Sequence, residues 1–293
     1  MIYSETPLVQ LNSPLLENAG LTLLLKREDL NHPHISGNKW WKLKYNLEEA
    51  IRLGHDTLLT FGGAYSNHLY ATAAAASELG MKSIGMVRGE EVLPLNATLA
   101  FCKSRGMQLQ YVSRDVYRDK KDPSFIETLQ SAFGNFYLIP EGGTNLLAIK
   151  GSEEWAQQLK KEIDFDLLCL PVGTGGTMAG MINVLKEKQI IGFSSLKGGD
   201  FLRDEIRQWL SQPTENWRIE TQYHFGGYGK LNQALTDFTI EFEKTYEIQL
   251  DPVYTAKMMY GIFDLIQHSA FQSGSRILAL HTGGLQGRSG FNF

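Results

Sequence analysis

The chain has 293 residues, 43% of them hydrophobic, enough apolar mass for a sizeable core, so disorder is excluded as its main state. Its 28 Lys and Arg against 32 Asp and Glu leave a formal charge of −4, with no basic excess to neutralise a nucleic-acid backbone. Apolar stretches such as Leu23-Leu24-Leu25 and Ile190-Ile191 fall far short of the ~20 residues that span a bilayer, so no membrane partner is expected. Two cysteines, Cys102 and Cys169, and a start, Met1-Ile2-Tyr3-Ser4-Glu5, without a basic or apolar leader pattern point to a cytoplasmic location.

In chain order, strand-like runs at 21–26, 57–61, 82–87, 108–112, 136–139, 166–170, 189–193 and 276–281 alternate with helical spacing at 41–53, 67–79, 97–105, 145–162, 178–187 and 255–269. Most of the strands lack strict polar-apolar alternation, the pattern of strands covered on both faces, so the expected class is α/β. The charged run 114–122 reads as a solvated turn before Pro123. No repeat or Pro/Ser-rich linker interrupts the chain, so a second domain would be an excursion from the first.

Glycine is abundant, at 29 residues, and clusters after strand-like runs. After Asp166-Leu-Leu-Cys-Leu-Pro-Val172 comes Gly173-Thr174-Gly175-Gly176-Thr177 and then a helix. Such a turn lets backbone N–H groups converge without a Cβ in the way, and the helix start adds partial positive charge, which makes an anion cradle. It lacks both the P-loop signature and the dinucleotide spacing, so a phosphate held there belongs to a smaller cofactor; a tight turn without ligand is the plain alternative. Gly62-Gly63-Ala64-Tyr65-Ser66-Asn67-His68 repeats the strand-glycine-helix pattern. Ser66 or Asn67 reads either as a helix cap or as part of a carboxylate site, and His68 as an acid-base group or a satisfied polar residue.

Ser36-Gly37-Asn38-Lys39 lies near a helix start, an electrostatically poor place for a cation, which gives Lys39 a chemical reading; Lys42 and Lys44 read as solvated. A desolvated lysine amine forms a Schiff base with a carbonyl cofactor. Lysine, phosphate cradle and carboxylate cradle together are the parts that a pyridoxal 5′-phosphate enzyme acting on a small amino acid requires.

Six motifs, Ser36-Gly-Asn-Lys39, Gly62-Gly-Ala-Tyr-Ser-Asn-His68, Glu141-Gly-Gly-Thr144, Gly173-Thr-Gly-Gly-Thr177, Asp251-Pro-Val-Tyr254 and His281-Thr-Gly-Gly284, stand in an order that resembles the 1-aminocyclopropane-1-carboxylate (ACC) deaminase and D-cysteine desulfhydrase family from end to end. That resemblance implies fold type II, the tryptophan synthase β-like fold, with two open, twisted, mostly parallel sheets and flanking helices. It implies a large cofactor domain from 1–42 and 151–293, a small inserted domain from 43–150, and a homodimer. By resemblance, Lys39 binds the cofactor covalently and then serves as the base at Cα. Gly173, Thr174, Gly175, Gly176 and Thr177 hold the phosphate, and Asn67 lies beside the ring. Ser66 binds or assists the substrate carboxyl end, and Asn67 and His68 also border the substrate. Tyr254 sits near the substrate as an acid, base or orienting hydroxyl, and Tyr228 in Gly226-Gly-Tyr-Gly229 matches another active-site tyrosine. Asp251-Pro252 by itself is equally an ordinary turn before a helix.

Thr255 and Thr282 bear on the reaction and on the cofactor ring. ACC deaminases resemble one another in an acidic residue at the first position and leucine at the second, whereas desulfhydrase-like members carry this Thr pair. A carboxylate beside the pyridine nitrogen makes the ring a stronger electron sink than a hydroxyl does, and opening a cyclopropane without an α-hydrogen needs the stronger one. The resemblance therefore implies β-elimination from D-cysteine to pyruvate, ammonia and hydrogen sulfide. The alternatives are ACC ring opening to 2-oxobutyrate and ammonia, or cofactor binding without efficient catalysis. Three positions depart from the family: Trp41 and Tyr70 replace arginines, and Ala256 replaces a glycine. The two aromatics are expected to pack on each other as compensating changes.

Overall fold

Thr57–Gly62 and Leu167–Val172 are buried at every position, as a parallel strand covered by helices on both faces must be. The computed structural model describes residues 1–291; the last two residues of the expected large domain, 292–293, lie outside them. The elements are β1 (Leu8–Leu11), α1 (Pro14–Ala19), β2 (Thr22–Lys26), α2 (Asn38–Arg52), β3 (Thr57–Gly62), α3 (Asn67–Glu78), β4 (Lys82–Arg88), α4 (Ala97–Ser104), β5 (Met107–Val112), α5 (Pro123–Phe133) and β6 (Tyr137–Ile139). There follow α6 (Leu146–Glu162), β7 (Leu167–Val172), α7 (Gly176–Val184), β8 (Gln189–Ser194), α8 (Leu202–Arg207), β9 (Trp217–Glu220), α9 (Gln233–Tyr246), α10 (Thr255–Gln267) and β10 (Arg276–Leu280).

Two sheets result, one of six strands in the order β1-β2-β10-β7-β8-β9 and one of four in the order β5-β4-β3-β6. Every pairing is parallel except β1 with β2. The four-stranded sheet draws only on residues 57–139, and the larger one on 8–26 and 167–280. Residues 42 and 43 both fall within α2, and 150 and 151 both within α6. These two helices pack closely, since a Cβ on Gly151 would lie 1.9 Å from the Trp41 carbonyl oxygen. One core cluster, with Leu24, Leu168 and Leu278 from the larger sheet and Leu58 and Ile139 from the smaller, runs through both by way of Trp41, Leu43 and Trp155.

Pro171 stands in the central strand β7, where a missing N–H is normally excluded. The β7–β10 register ends at Cys169, so Pro171 lies where those strands have already separated. The loop from Gly173 to Thr177 follows directly on the carboxyl end of β7, the usual ligand position in such sheets.

Several elements were not expected from sequence. Edge strands β1 and β9 are short, and α1, α5, α8 and α9 were not anticipated. Helices α1 and α5 each open with proline behind a capping side chain, Ser13 and Asp122, a local start signal. Within the run 114–122, Tyr117 is buried and donates to Glu141 at 2.7 Å. That segment is therefore not simply a solvated turn.

Candidate active site

Lys39 is placed by a glycine. Gly37 has φ 67°, and a Cβ there would lie 1.9 Å from the Thr282 carbonyl oxygen. Asn31 fixes this turn, accepting from the Gly37 N–H at 2.9 Å and donating to its carbonyl at 3.0 Å. The chain then enters α2, where Asn38 Nδ2 donates to Thr177 Oγ1 at 2.9 Å and Lys39 Nζ donates to Asn38 Oδ1 at 3.0 Å. The lysine turn is thus tied directly to the glycine loop after β7. Burial pushes the Lys39 ammonium down to about 8, opposed by the charge of Asp251, so the nucleophilic amine is accessible near neutral pH.

The loop from Gly173 to Thr177 has the features of an anion cradle. Gly175 is left-handed at φ 80° and caps α7 without any side-chain hydrogen bond, whereas α3, α4, α6 and α9 are each capped by their own side chains. The first N–H groups of α7 are left for a ligand. Thr174 Oγ1 lies 2.7 Å from Thr144 Oγ1, and Lys42 Nζ donates to Thr144 Oγ1 at 2.9 Å and to the Gly142 carbonyl. Lys42, expected to be solvated, is 2% exposed. Its ammonium is driven well down by burial and by Lys39. With only a carbonyl and a hydroxyl as partners, Lys42 has no acidic neighbour bonded to it, and an anion bound in the loop would favour its charged form.

Ser66 caps α3, its Oγ accepting from His68 N and Leu69 N, each at 3.2 Å. The hydroxyl proton stays available, so capping and ligand binding are compatible at this residue. Asn67 Oδ1 accepts from Gln286. His68, expected at the substrate, is 2% exposed. Its Nε2 lies 2.8 Å from Thr60 Oγ1, and a Cβ on Gly143 would come within 3.0 Å of its ring. Burial and the nearby Lys39 and Lys42 hold this imidazole well below its ordinary value, so it is a neutral residue packed beneath Gly143.

The turn after β10 joins these loops. Gly284 has φ 94°, and a Cβ there would lie 2.4 Å from Asn67 Nδ2 and 3.0 Å from Asp251 Oδ2. Asp251 is fully buried, its Oδ1 accepting from the Tyr254 N–H while Oδ2 has no partner. Burial pushes its carboxyl up to about 7 against the bonds it accepts. Tyr254 reaches the glycine loop, since a Cβ on Gly173 would meet its ring at 3.2 Å. Burial, with Tyr228 and Asp251 nearby, raises the Tyr254 phenol well above its usual value. The rings of Tyr228 and Tyr254 meet edge to face at 6.0 Å and 72°. Thr255 is fully buried, accepting from Asp251 N at 2.7 Å and donating to Asp251 O at 3.2 Å. Its hydroxyl serves this turn, while Thr282 borders Gly37.

Trp41 and Tyr70 do not pack on each other, contrary to expectation. Trp41 stacks on Trp155 with centroids 5.9 Å apart and planes at 3°. Tyr70 stacks on Phe101 at 3.8 Å and 14°, with its hydroxyl 3.4 Å from His34 Nδ1. Ala256 is fully buried in the core beside the larger sheet. Sequence reasoning missed Lys42 and understated Asp251. The spacing of Lys42, one turn beyond Lys39 on the same helix face, was the available signal.

A buried amine of lowered pKa, an uncapped glycine loop and an uncompensated lysine fit a cofactor with an aldehyde and a phosphate, and the protein is in class an enzyme of the pyridoxal phosphate type. The model of the pyridoxal-phosphate dependent enzyme family matches residues 1–283, and the chain belongs to that family. It is 30% identical over 298 residues to a Pyrococcus horikoshii protein named "Putative 1-aminocyclopropane-1-carboxylate deaminase", across 97% of this chain and 90% of the relative. To the Arabidopsis thaliana "Bifunctional D-cysteine desulfhydrase/1-aminocyclopropane-1-carboxylate deaminase, mitochondrial" it is 29% identical over 314 residues, across 98% of this chain and 78% of the relative. A crystal structure of an "ACC deaminase homologue" superposes with a TM-score of 0.82 at 30% identity, across 98% of this chain and 91% of that one. The two-sheet architecture is that of fold type II, and pyridoxal phosphate is the cofactor.

Proposed function

We propose that the protein catalyses a deaminating β-elimination on a small amino acid, of the D-cysteine desulfhydrase type, releasing pyruvate, ammonia and hydrogen sulfide. The observation that carries it is the position of the Lys39 amine, with its pKa near 8, in a turn bonded to the glycine loop through Asn38 and Thr177. The Thr255 and Thr282 pair and the relatives' names support the choice of substrate. A specific observation favours ACC as a second reading: the buried, unpartnered Asp251 carboxyl oxygen beside Gly284 supplies an acidic group that the threonines do not.

The bound cofactor supplies a sink for the electron pair left at the substrate's Cα. In this reading Gly173 to Thr177 and Lys42 hold its phosphate, with Asn67 and Thr282 along its ring. Ser66 donates to the substrate carboxylate from the start of α3, orienting the Cα proton towards Lys39. The Lys39 amine takes that proton, since burial lowers it to about 8 and brings its uncharged form within reach near neutral pH. Tyr254 stays protonated and donates a hydrogen bond to the departing group, with Tyr228 packed on its ring. The small domain at 43–150, the homodimer and the cytoplasmic location belong to the same proposal, the last supported by two free buried thiols, Cys102 and Cys169.

The test is an absorbance spectrum of the purified protein, followed by D-cysteine, L-cysteine, D-serine and ACC with assay of pyruvate and 2-oxobutyrate. A visible cofactor band that shifts with D-cysteine and yields pyruvate, and that is lost with turnover in Lys39→Ala, is the expected result. Formation of 2-oxobutyrate from ACC establishes the second reading, and a stable band with no turnover leaves a binding role. Retained turnover in Lys39→Ala overturns the assignment of Lys39.

A further inference from the structure

Lys257 is a buried lysine for which the mechanism above has no use. It lies in the first turn of α10, 1% exposed, and donates to the carbonyls of His224 at 2.9 Å and Gly227 at 2.7 Å. Burial lowers its ammonium to about 8, opposed by the Asp251 charge, and both of its partners are carbonyl acceptors. The segment it grips has unusual backbone: Phe225, Gly226, Gly227 and Gly229 all have positive φ, at 50°, 95°, 119° and 65°. A run of such residues folds back on itself, and here it leaves two carbonyls directed at one ammonium.

The grip belongs to a longer docking strip. Residues spaced three or four apart on a helix share a face, and α10 uses such a face to hold the segment from Tyr223 onwards. Tyr223 donates to Asp264 at 2.7 Å, and Phe225 packs edge to face on Tyr260 at 4.9 Å. Next along the strip Lys257 holds Gly227, and just before α10 the Tyr254 ring meets Tyr228 at 6.0 Å. The segment therefore runs antiparallel to the helix and delivers Tyr228 onto Tyr254. Tyr223 and Phe225 anchor its far end. Lys257 is the contact immediately before Tyr228, and it binds backbone alone.

We infer that Lys257 is a positioning residue: by gathering the His224 and Gly227 carbonyls it fixes the 224–229 loop and sets the placement of Tyr228 against Tyr254. The inference rests on the active-site reading of those two tyrosines given above, but the loop geometry is measurable without it.

The test compares the wild-type holoenzyme with Lys257→Met, Tyr228→Phe and the double variant. Amide hydrogen exchange over 224–229 should rise at least about tenfold in Lys257→Met, with the interior of α10 and the visible cofactor band unchanged. With D-cysteine, kcat should fall about tenfold or more in each single variant, with a smaller change in KM, and the double variant should be no worse than the poorer single one, because both lesions act through one group. Costs that multiply, or loop exchange equal to wild type, overturn the inference. A general rise in exchange together with loss of the cofactor band also overturns it, since that marks a purely structural lysine. Should Lys257→Met fail to accumulate, Lys257→Gln, which keeps a donor at shorter reach, takes its place in the same comparison. If the wild type turns over none of the amino acids, the proposed function has failed, and the exchange result still decides what Lys257 does.

Discussion

The indole Nε1 of Trp41 donates to a carboxylate oxygen of Glu28 at 3.0 Å. Glu28 is fully buried and also accepts from Thr6 Oγ1 at 2.7 Å, Tyr3 Oη at 3.0 Å and Asn31 Nδ2 at 3.1 Å. Because Asn31 also holds both backbone groups of Gly37, a residue that departs from the family's arginine supports the turn bearing Lys39 from behind. Trp41 thus gives Glu28 a donor through its indole N–H while its ring stacks on Trp155.

Trp41→Phe retains the stacked ring and removes the donor. Leaving a buried carboxylate one bond short costs about 1–3 kcal/mol, to be read as a lower urea midpoint of the purified protein. The KM for the amino acid should be unchanged, because Trp41 is buried in the core, stacked on Trp155.

Lys42→Met should weaken cofactor binding. A charge-assisted hydrogen bond contributes about 1.5–3 kcal/mol, so the dissociation constant for pyridoxal phosphate should rise roughly 10- to 100-fold. Titration of the cofactor-free protein, followed by the visible band, checks it; unchanged affinity would remove Lys42 from the phosphate site.

Tyr254→Phe should lower kcat by about 10²–10⁴, the range for loss of a positioned proton donor, while the cofactor band persists. Since burial raises this phenol, the wild-type kcat should show no loss on the alkaline side traceable to Tyr254 below its ordinary value. Pre-steady-state absorbance and a pH–rate profile provide the comparison.

Asp251→Asn should change how stability depends on pH. The folded state holds the Asp251 proton up to about 7, while the unfolded chain releases it near 3.8, the ordinary value for an aspartate. Between those values the folded state binds more protons, so this group's contribution is full below 3.8 and is lost as pH rises through 7. The difference amounts to at most about 4 kcal/mol. Urea midpoints of the cofactor-free protein should fall from about pH 5 to about pH 7.5 in the wild type, and less steeply in Asp251→Asn; equal slopes would place the proton elsewhere.

The parts of the site legible in the sequence are those whose geometry is local. Glycines and threonines from Gly173 to Thr177 define a strand-to-helix anion loop from their own backbone freedom, and Ser66 announces a helix start in the same way. Strand β7 declares itself because its residues, buried on both faces, are apolar throughout, and β3 keeps that pattern apart from Thr57 and Thr60. The capped starts Ser13-Pro14 and Asp122-Pro123 were equally local; α1 is only six residues long, whereas α5 carries an apolar face at Phe125, Ile126, Leu129 and Phe133 that was legible as well.

Tertiary structure decided the rest. Lys42 looks like any helical lysine until the Gly142 carbonyl and Thr144 arrive from about a hundred residues away to bury it. Trp41 and Tyr70 found partners, Trp155 with Glu28 and Phe101 with His34, that no spacing along the chain relates to them. Asp251 is an ordinary turn residue in sequence, and it becomes a buried acid only because the turn after β10 closes over it at Gly284. Backbone conformation and helix capping depend on neighbours within a few residues, so the sequence alone determined the glycine cradle and the α/β alternation. Desolvation, charge pairing and ring stacking depend on what the two sheets bring together, so only the folded chain determined which lysines are buried and which tyrosines face each other.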